Sequence, residues 1–455
     1  MLEIKDRKIA VIGLGKRTGV ATARMLARHG ARVVVSDLKG PEQLTEERQM
    51  LADYTIEYDL NGHGHRSLDT DLMVVSPGVP LDIPFFKEAE DRGIPVISEI
   101  ELAYQFTEAR IIAITGTNGK TTTTSLLGKM LQQSFPGRVS VAGNIGVPLI
   151  KEAGVLESND WLVAEVSSFQ LETIQEFRPC LSLFLNFSPD HLDRHPTVED
   201  YWQAKKRIFE NQQPGDLALI NFDDSMVVRA ARDCQARKLA VSQQPSIKDG
   251  VLVKDNLLYF RDQGKTTYKL SLNGFKLPGI HNRKNAAFAT LAARLAGSSW
   301  DNIQQVLVDF QPIAHRLEEV KLGPDDILFI DDSKATNPHA AIKGITAFDR
   351  PIVLLAGGQD RNADFRELAS VIKDRVKSLI LLGETREMLA RAVADRGFSR
   401  FKVVSDMEEA IKQAIQELEA GDCLLLSPGC PSWDMYENYR KRGQDFRNQL
   451  GKYYK

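Results

Sequence analysis

Uninterrupted apolar runs recur along this chain, and most of them end in a glycine turn or a polar corner. KIAVIGLG (8–15) is β-branched and apolar up to its glycines. Residues 19–29 follow with helical periodicity, and ARVVVSD (31–37) is a second run that ends on an acid. DLMVVSPGVP (71–80) and IPVIS (94–98) repeat the strand-then-turn pattern. A second group begins with IIAITGTNGKTTTT (111–124) and continues through WLVAEVSSFQLE (161–172) and LSLFLNFSPDHLDRH (181–195). KLPGIHNRKNAAFATLAARLAG (276–297) then reads as a turn into an amphipathic helix. A third group restarts the alternation with ILFIDDSKATNP (327–338), PIVLLAGGQD (351–360), SLILLG (378–383) and DCLLLSPGCPSW (422–433). Strands without polar alternation are buried on both faces. Set between helical segments, they predict parallel α/β sheets with ligand groups gathered at the strand ends. The grouping predicts three α/β domains, residues 1–107, 108–312 and 313–455.

Composition changes this picture little. Of 455 residues, 43% are hydrophobic and 26% charged, enough for several ordinary cores. A net charge of −3 calls for neither nucleic acid nor an anionic membrane, so any anion site is local. Cys180, Cys234, Cys423 and Cys430 form no CxxC pair, which fits a reducing compartment. No signal-peptide pattern opens the chain and no run approaches a membrane span, so a cytoplasmic protein without membrane insertion is expected.

The strongest chemical signal is TGTNGKT (115–121). Gly116 and Gly119 let the loop backbone curl so that its N–H groups point inward. Lys120 can reach outer phosphates, the Thr121 hydroxyl can bind Mg²⁺, and the helix start adds roughly half a positive charge. The position of the usual first P-loop glycine holds Ile114, so the loop is a shortened form. The fold class expected is thus a central P-loop-type ATP-binding α/β domain between two Rossmann-like α/β domains.

Other positions carry two readings each. Gly13, Gly15 and Gly19, with Asp37 after the second strand, form either a dinucleotide turn with an extra residue or a glycine turn for another nucleotide. Glu165 is either an exposed edge acid or a strand-end carboxylate sharing Mg²⁺ with Thr121. Asp190, His191, Asp193 and His195 form a metal site or a polar loop. His63 and His65 read as a surface loop, and Lys205, beside Lys206 and Arg207, as a solvated helix face. Lys334, Thr336, Arg361 and Ser432 either hold a small carboxylated substrate or belong to ordinary turns.

Taken in order, the motifs resemble the Mur ligases. They are GLGKRTG (13–19), SPGVP (76–80), TGTNGKTTTT, GNIGVP (143–148), EVSSFQLE (165–172), NFSPDHLDRH (186–195), YWQAKKRIF (201–209), HNRKN (281–285), HRLE (315–318), DDSKATNP (331–338) and LSPGCPSWD (426–434). TGTNGKT is shared with the whole superfamily, folylpolyglutamate synthases included. SSFQLE, DHLDRH and DSKATN point to its D-glutamate-adding branch, with the L-alanine-adding branch and folylpolyglutamate synthase as alternatives. The resemblance implies ATP-dependent amide formation between UDP-N-acetylmuramoyl-L-alanine and D-glutamate through an acyl phosphate, with two Mg²⁺ ions, domain closure and a monomeric enzyme. It implies ATP contacts from Gly116, Thr117, Asn118, Gly119, Lys120, Thr121, Thr122, Asn282, Asn285, Arg316 and Asp332. Thr121, Glu165, His191 and Lys205 would face the metals, with Lys120 beside them as catalytic groups. Lys205, at the end of the Tyr201-x-x-x-Lys pattern, would be carbamylated by CO₂. Gly15, Arg17, Thr18, Asp37, Ser76, Gly78, Asn144 and Gln170 would hold the UDP substrate. Lys334, Thr336, Arg361, Ser432 and Tyr439 would hold D-glutamate. Departures are the lengthened GLGKRTG turn and Arg361, where the family often has lysine. An NAD oxidoreductase would leave TGTNGKTTTT unexplained, and a non-catalytic nucleotide switch would not need Glu165, His191 and a lysine together.

Overall fold

Three sheets organise the chain in the computed structural model, which describes residues 3–192, 194–311, 314–324, 326–361 and 363–454. Asp193, and the expected boundary at 312/313, lie outside the described residues. The first sheet is wholly parallel. Its strand order is Ile56–Leu60, Arg32–Asp37, Lys8–Ile12, Leu72–Val75, Val96–Ser98. The order reverses beside Lys8–Ile12, so the glycine turn after that strand opens at the switch point, where doubly wound sheets bind ligands. Helix Thr18–Arg28 follows the turn and buries Val20, Ala23 and Leu26.

The second sheet has nine strands. Its parallel part runs Arg237–Ser242, Leu217–Asn221, Leu181–Phe184, Arg110–Thr115, Trp161–Glu165, Val139–Gly143. Ile114 pairs with Glu165 on one side and Leu183 on the other, and Glu165 pairs in turn with Gly143. The phosphate-loop strand and the acid-bearing strand therefore end at the same level. Strand Gly250–Lys254 extends the sheet beyond Arg237–Ser242. Leu257–Asp262 and Lys265–Ser271 then add an antiparallel edge that periodicity alone did not predict. Its tight turns, Asp255-Asn256 and Gln263-Gly264, were the available hairpin signal; Asp255, Gln263 and Gly264 all have positive φ.

The third sheet orders Glu318–Glu319, Leu328–Asp331, Cys423–Leu426, Ile352–Ala356, Val376–Leu381, Phe401–Val403, parallel except for the short first strand. Its four-residue strand Cys423–Leu426 is fully buried, as its apolar run required.

The chain divides into two compact units. One comprises Met1–Phe187, Glu199–Ser271 and Ala286–Val306 and carries the first two sheets. The other comprises Ser188–Val198, Leu272–Asn285 and Leu307–Lys455 and carries the third. Among the described residues no helix is long and apolar enough to cross a membrane, and all four cysteines are free.

Candidate active site

The phosphate loop connects strand Arg110–Thr115 to helix Lys120–Ser134. Gly119 caps the helix at φ 86°, a left-handed backbone that a side chain would strain. The loop is braced by Asn186, beyond the end of the neighbouring strand. Asn186 accepts from the Asn118 N–H at its Oδ1 (2.9 Å) and from the Thr117 N–H at its main-chain oxygen (3.0 Å), and its amide donates to the Asn118 oxygen (2.8 Å). Sequence reasoning quoted Asn186 only as part of a motif, and its place just past a buried strand was the signal. Lys120 lies over the loop, its Nζ donating to the Gly116 and Thr117 oxygens (2.7 and 2.9 Å). Thr121 and Thr122 are buried.

Two charged side chains converge on this loop. Glu165 ends its strand 1% exposed, which rules out the edge-acid reading. Its Oε1 accepts from the Asn144 amide (2.8 Å), whereas its buried Oε2 meets no hydrogen-bond partner among the described residues. Gly143 holds this close approach, because a Cβ there would sit 2.3 Å from the Glu165 main-chain oxygen. Lys205, on helix Val198–Lys206, is also 1% exposed, and its Nζ donates to the Gly116 oxygen (3.1 Å). The solvated-face reading is therefore corrected. Lys205 packs 4.7 Å over the Tyr201 ring, while the neighbouring Lys206 reaches out to Asp233 (3.2 Å). The helix turns one lysine inward and the next outward, a difference that their adjacency in sequence does not reveal. Tyr201 donates from its hydroxyl to the Thr117 hydroxyl (3.4 Å).

These residues fit a metal–nucleotide site. A buried carboxylate oxygen and the Asn118 Nδ2, neither with a partner among the described residues, are expensive unless a cation and an acceptor complete them. Thr121 and Glu165 offer the hard oxygen donors that Mg²⁺ takes.

The glycine turn of the first sheet carries much of the expected UDP set. Asp37 is committed to building the turn, accepting from the Leu14 and Lys39 N–H groups (2.7 and 2.9 Å). Ser76 donates to the Gly13 oxygen (2.7 Å). Gly15 and Gly78 have open space where a Cβ would stand, and Thr18 begins the helix. Arg17 donates to the Gly143 and Asn144 carbonyls, joining the turn to the residues that buttress Glu165. Gln170 is buried in a capping box with Ser167 at a helix start. His63 lies in a loop but is half-buried, whereas His65, at the start of helix His65–Leu68, is exposed. The His63 Nδ1 lies 2.7 Å from the Ser36 hydroxyl, and its ring packs on Phe85.

Glu99, which sequence reasoning passed over, lies near Arg17 and Gln170. Burial pushes its carboxyl from the ordinary 4.5 up to about 7, opposed chiefly by the Ile150 N–H on its Oε1 (2.6 Å) and then by the Arg17 charge. A raised carboxyl stabilises the fold fully below pH 4.5 and loses that contribution as pH rises through about 7. Glu99→Gln is therefore expected to stabilise the protein by roughly 3 kcal/mol at pH 8 and by almost nothing near pH 4.5. Urea unfolding at the two pH values checks this; an equal effect at both would refute it.

In the second unit, His191, Thr336 and Arg361 line one cavity of about 410 Å³ together with Asp190 and Gln359. Asp190 fixes the loop, accepting from the His191 N–H (2.9 Å) and the Asn337 amide (2.7 Å). Ser432 is buried. Lys334 and Tyr439 stand together, with Nζ 5.4 Å from the ring, and neither is among the residues lining the cavity. Asn282 and Asn285 are buried and bonded to each other (3.2 Å) at the start of helix Ile280–Leu295. Asp332 takes the Ser427 hydroxyl (2.7 Å), and burial pushes its carboxyl up to about 7 against that bond and the Arg316 charge.

The similarity to known proteins follows this geometry. Residues 7–98, 114–293 and 315–430 match the models described as "Mur ligase MurD-like, N-terminal domain", "Mur ligase middle domain" and "Mur ligase, glutamate ligase domain". A UDP-N-acetylmuramoylalanine–D-glutamate ligase from Alkaliphilus oremlandii is 42% identical over 98% of both chains. One from Clostridioides difficile is 40% identical over 99% of both. The chain belongs to the Mur ligase family. As a Mur ligase it uses ATP and Mg²⁺. The Mur ligase fold is seen again in the UDP-N-acetylmuramate-alanine ligase of Thermotoga maritima, 18% identical with a TM-score of 0.61, over 98% of this chain and 100% of that one.

Proposed function

We propose that this protein joins D-glutamate to UDP-N-acetylmuramoyl-L-alanine, using ATP, as a cytoplasmic step of peptidoglycan precursor synthesis. The reading is carried by the convergence of Lys120, Glu165 and Lys205 on the Gly116–Thr121 loop, in a chain alike over nearly its whole length to ligases of that name. A carboxylate is a poor acyl donor because its leaving group would be an oxide. Attack of the substrate carboxylate oxygen on the ATP γ-phosphorus breaks the bond to ADP and yields an acyl phosphate. The D-glutamate amine then adds to the carbonyl carbon and loses a proton, and phosphate leaves with its bonding pair to give the amide.

Lys120 exchanges the loop carbonyls for the outer phosphates, and the loop N–H groups hold the charge that spreads over them. When bound, two Mg²⁺ ions supply charge neutralisation at the transferring phosphoryl group. Thr121 and the Glu165 Oε2 would hold one ion; His191 and a carbamate on Lys205 would hold the other. Carbamylation adds the neutral Nζ to CO₂ with release of a proton, turning a cation into a metal-facing carboxylate. Gly116, Thr117, Asn118, Gly119 and Thr122 would complete the phosphate cradle. Asn282 and Asn285 would contact the adenine, Arg316 the phosphates and Asp332 the ribose. Gly15, Arg17, Thr18, Asp37, Ser76, Gly78, Asn144 and Gln170 would hold the UDP substrate, and Lys334, Thr336, Arg361, Ser432 and Tyr439 the D-glutamate. No nucleic acid takes part, and the enzyme acts as a monomer.

Purified protein is expected to release phosphate from ATP only when UDP-N-acetylmuramoyl-L-alanine and D-glutamate are both present, with L-glutamate and L-alanine inactive as acceptors. Equal release with L-alanine, or with a folate plus L-glutamate, would remove the assignment.

A further inference from the structure

We propose that Arg207 is a positioning residue that ties Glu165 to the helix end carrying Lys205; the inference rests on the ligase reading above. Glu165 ends the strand on one side of the phosphate-loop strand. Lys205 stands on helix Val198–Lys206, which follows the strand on the other side, Leu181–Phe184. Arg110–Thr115 lies between those two flanking strands, so each pairs with it and not with the other. The spacing of the two charged groups therefore depends on contacts made outside the sheet.

Arg207 makes such a contact. It opens the helical turn Arg207–Phe209, directly after the helix that bears Lys205. Its guanidinium donates to the main-chain oxygens of Glu172 and Ile174, the bond to Ile174 at 2.6 Å, in the loop that follows Glu165. Glu210 holds the fork in place, accepting from Nε (2.6 Å) and from a terminal nitrogen (3.1 Å). One planar group grips two carbonyls and a carboxylate at once, which a lysine ammonium reproduces only in part. Of the three consecutive basic residues, Lys205 turns to the phosphate loop, Lys206 reaches out to Asp233, and Arg207 closes the tie.

The loop has little slack to absorb a shift. Glu101, 2% exposed, accepts from the Gln175, Glu176 and Phe177 N–H groups (2.8, 3.1 and 2.8 Å). Asn211 donates to the Gln175 and Phe177 oxygens (2.9 and 3.2 Å). Between the loop and Glu165, the capping box of Ser167 and Gln170 fixes helix Ser168–Leu171. Movement at Glu172 therefore passes back along a stiff segment to Glu165.

The test uses the full-length enzyme and reads kcat, the half-saturating Mg²⁺ concentration, the KM for D-glutamate, and Mg²⁺·ADP affinity by calorimetry. Arg207→Ala is expected to lower kcat about 10- to 100-fold and to raise the half-saturating Mg²⁺ concentration about tenfold. Mg²⁺·ADP affinity should fall in parallel, and excess Mg²⁺ should restore part of kcat. The KM for D-glutamate should stay within about twofold, because the tie does not act on the acceptor. Lys206→Ala, which removes the same charge from the same helix end, should match the wild type throughout. Arg207→Lys should fall between wild type and Arg207→Ala. Wild-type kcat and Mg²⁺ dependence in Arg207→Ala, measured well below its melting midpoint, would overturn the proposal. An equal loss in Lys206→Ala would do the same. Should Arg207→Ala not fold, an unchanged Mg²⁺ dependence in Arg207→Lys would overturn it as well. Wild-type turnover with D-glutamate tests the ligase reading separately, and Mg²⁺·ADP binding needs no acceptor, so the two can fail independently.

Discussion

Glu165→Gln is expected to lower kcat by about 10³-fold or more, while the thermal midpoint stays at or above that of the wild type. The substitution is isosteric, and its amide oxygen can still accept from Asn144, whose donor lies 2.8 Å from Oε1. What is lost is the negative charge and the second oxygen, which is buried and unsatisfied. A buried carboxylate without a cation destabilises a fold, so removing the charge relieves the resting protein. The catalytic loss follows from the same atom. Divalent-metal stabilisation of a transferring phosphoryl group amounts to several kcal/mol, and ~4 kcal/mol corresponds to ~10³ in rate. Phosphate release by the purified variant, beside its melting curve, checks both halves. Activity within tenfold of wild type would mean that Glu165 is structural. A collapsed melting temperature would mean that its charge is satisfied within the fold.

Much of the architecture was legible because buried parallel strands have no polar alternation. Ile111–Ile114 and Leu424–Leu426 could hardly be anything else, and the glycine turns marked their ends. The phosphate loop was legible for the same reason: its residues are contiguous, so local geometry and chemistry coincide. Non-adjacent pairings were not legible. The partners of Lys205, Gly116 and Tyr201, lie on different elements or a helical turn away, and three consecutive basic residues look solvated until one is seen to be buried. Trp433 and Arg361 are brought together by two separate strand-end loops. The antiparallel edge was missed because Lys265–Ser271 is mostly exposed and polar, leaving turn residues as its only mark. Asn186 shows the converse: a conspicuous motif residue whose bracing role became definable only with its three hydrogen bonds to Thr117 and Asn118 in view.

Lys205→Ala is expected to be nearly as damaging as the Glu165 substitution, about 10³-fold in kcat, and to be partly rescued by short carboxylates such as formate or acetate. The side chain is buried at 1% exposure, 3.1 Å from the Gly116 carbonyl to which Lys120 also donates. The neutral form of an amine is the one that adds CO₂. Once formed, the carbamate presents oxygens where a lysine presents only hydrogens, so the site gains a ligand for a divalent ion in place of a competing charge. Truncation to alanine opens a space about the size of a small carboxylate, which gives rescue its physical basis. Lys205→Arg separates this account from a purely structural one. If Lys205 acts as a cation, arginine should preserve activity and added carboxylates should do nothing for Lys205→Ala. If it acts as a carbamate, arginine should be inactive and the alanine variant should recover with rising formate. Full activity in Lys205→Ala without any additive would remove the carbamate from the mechanism.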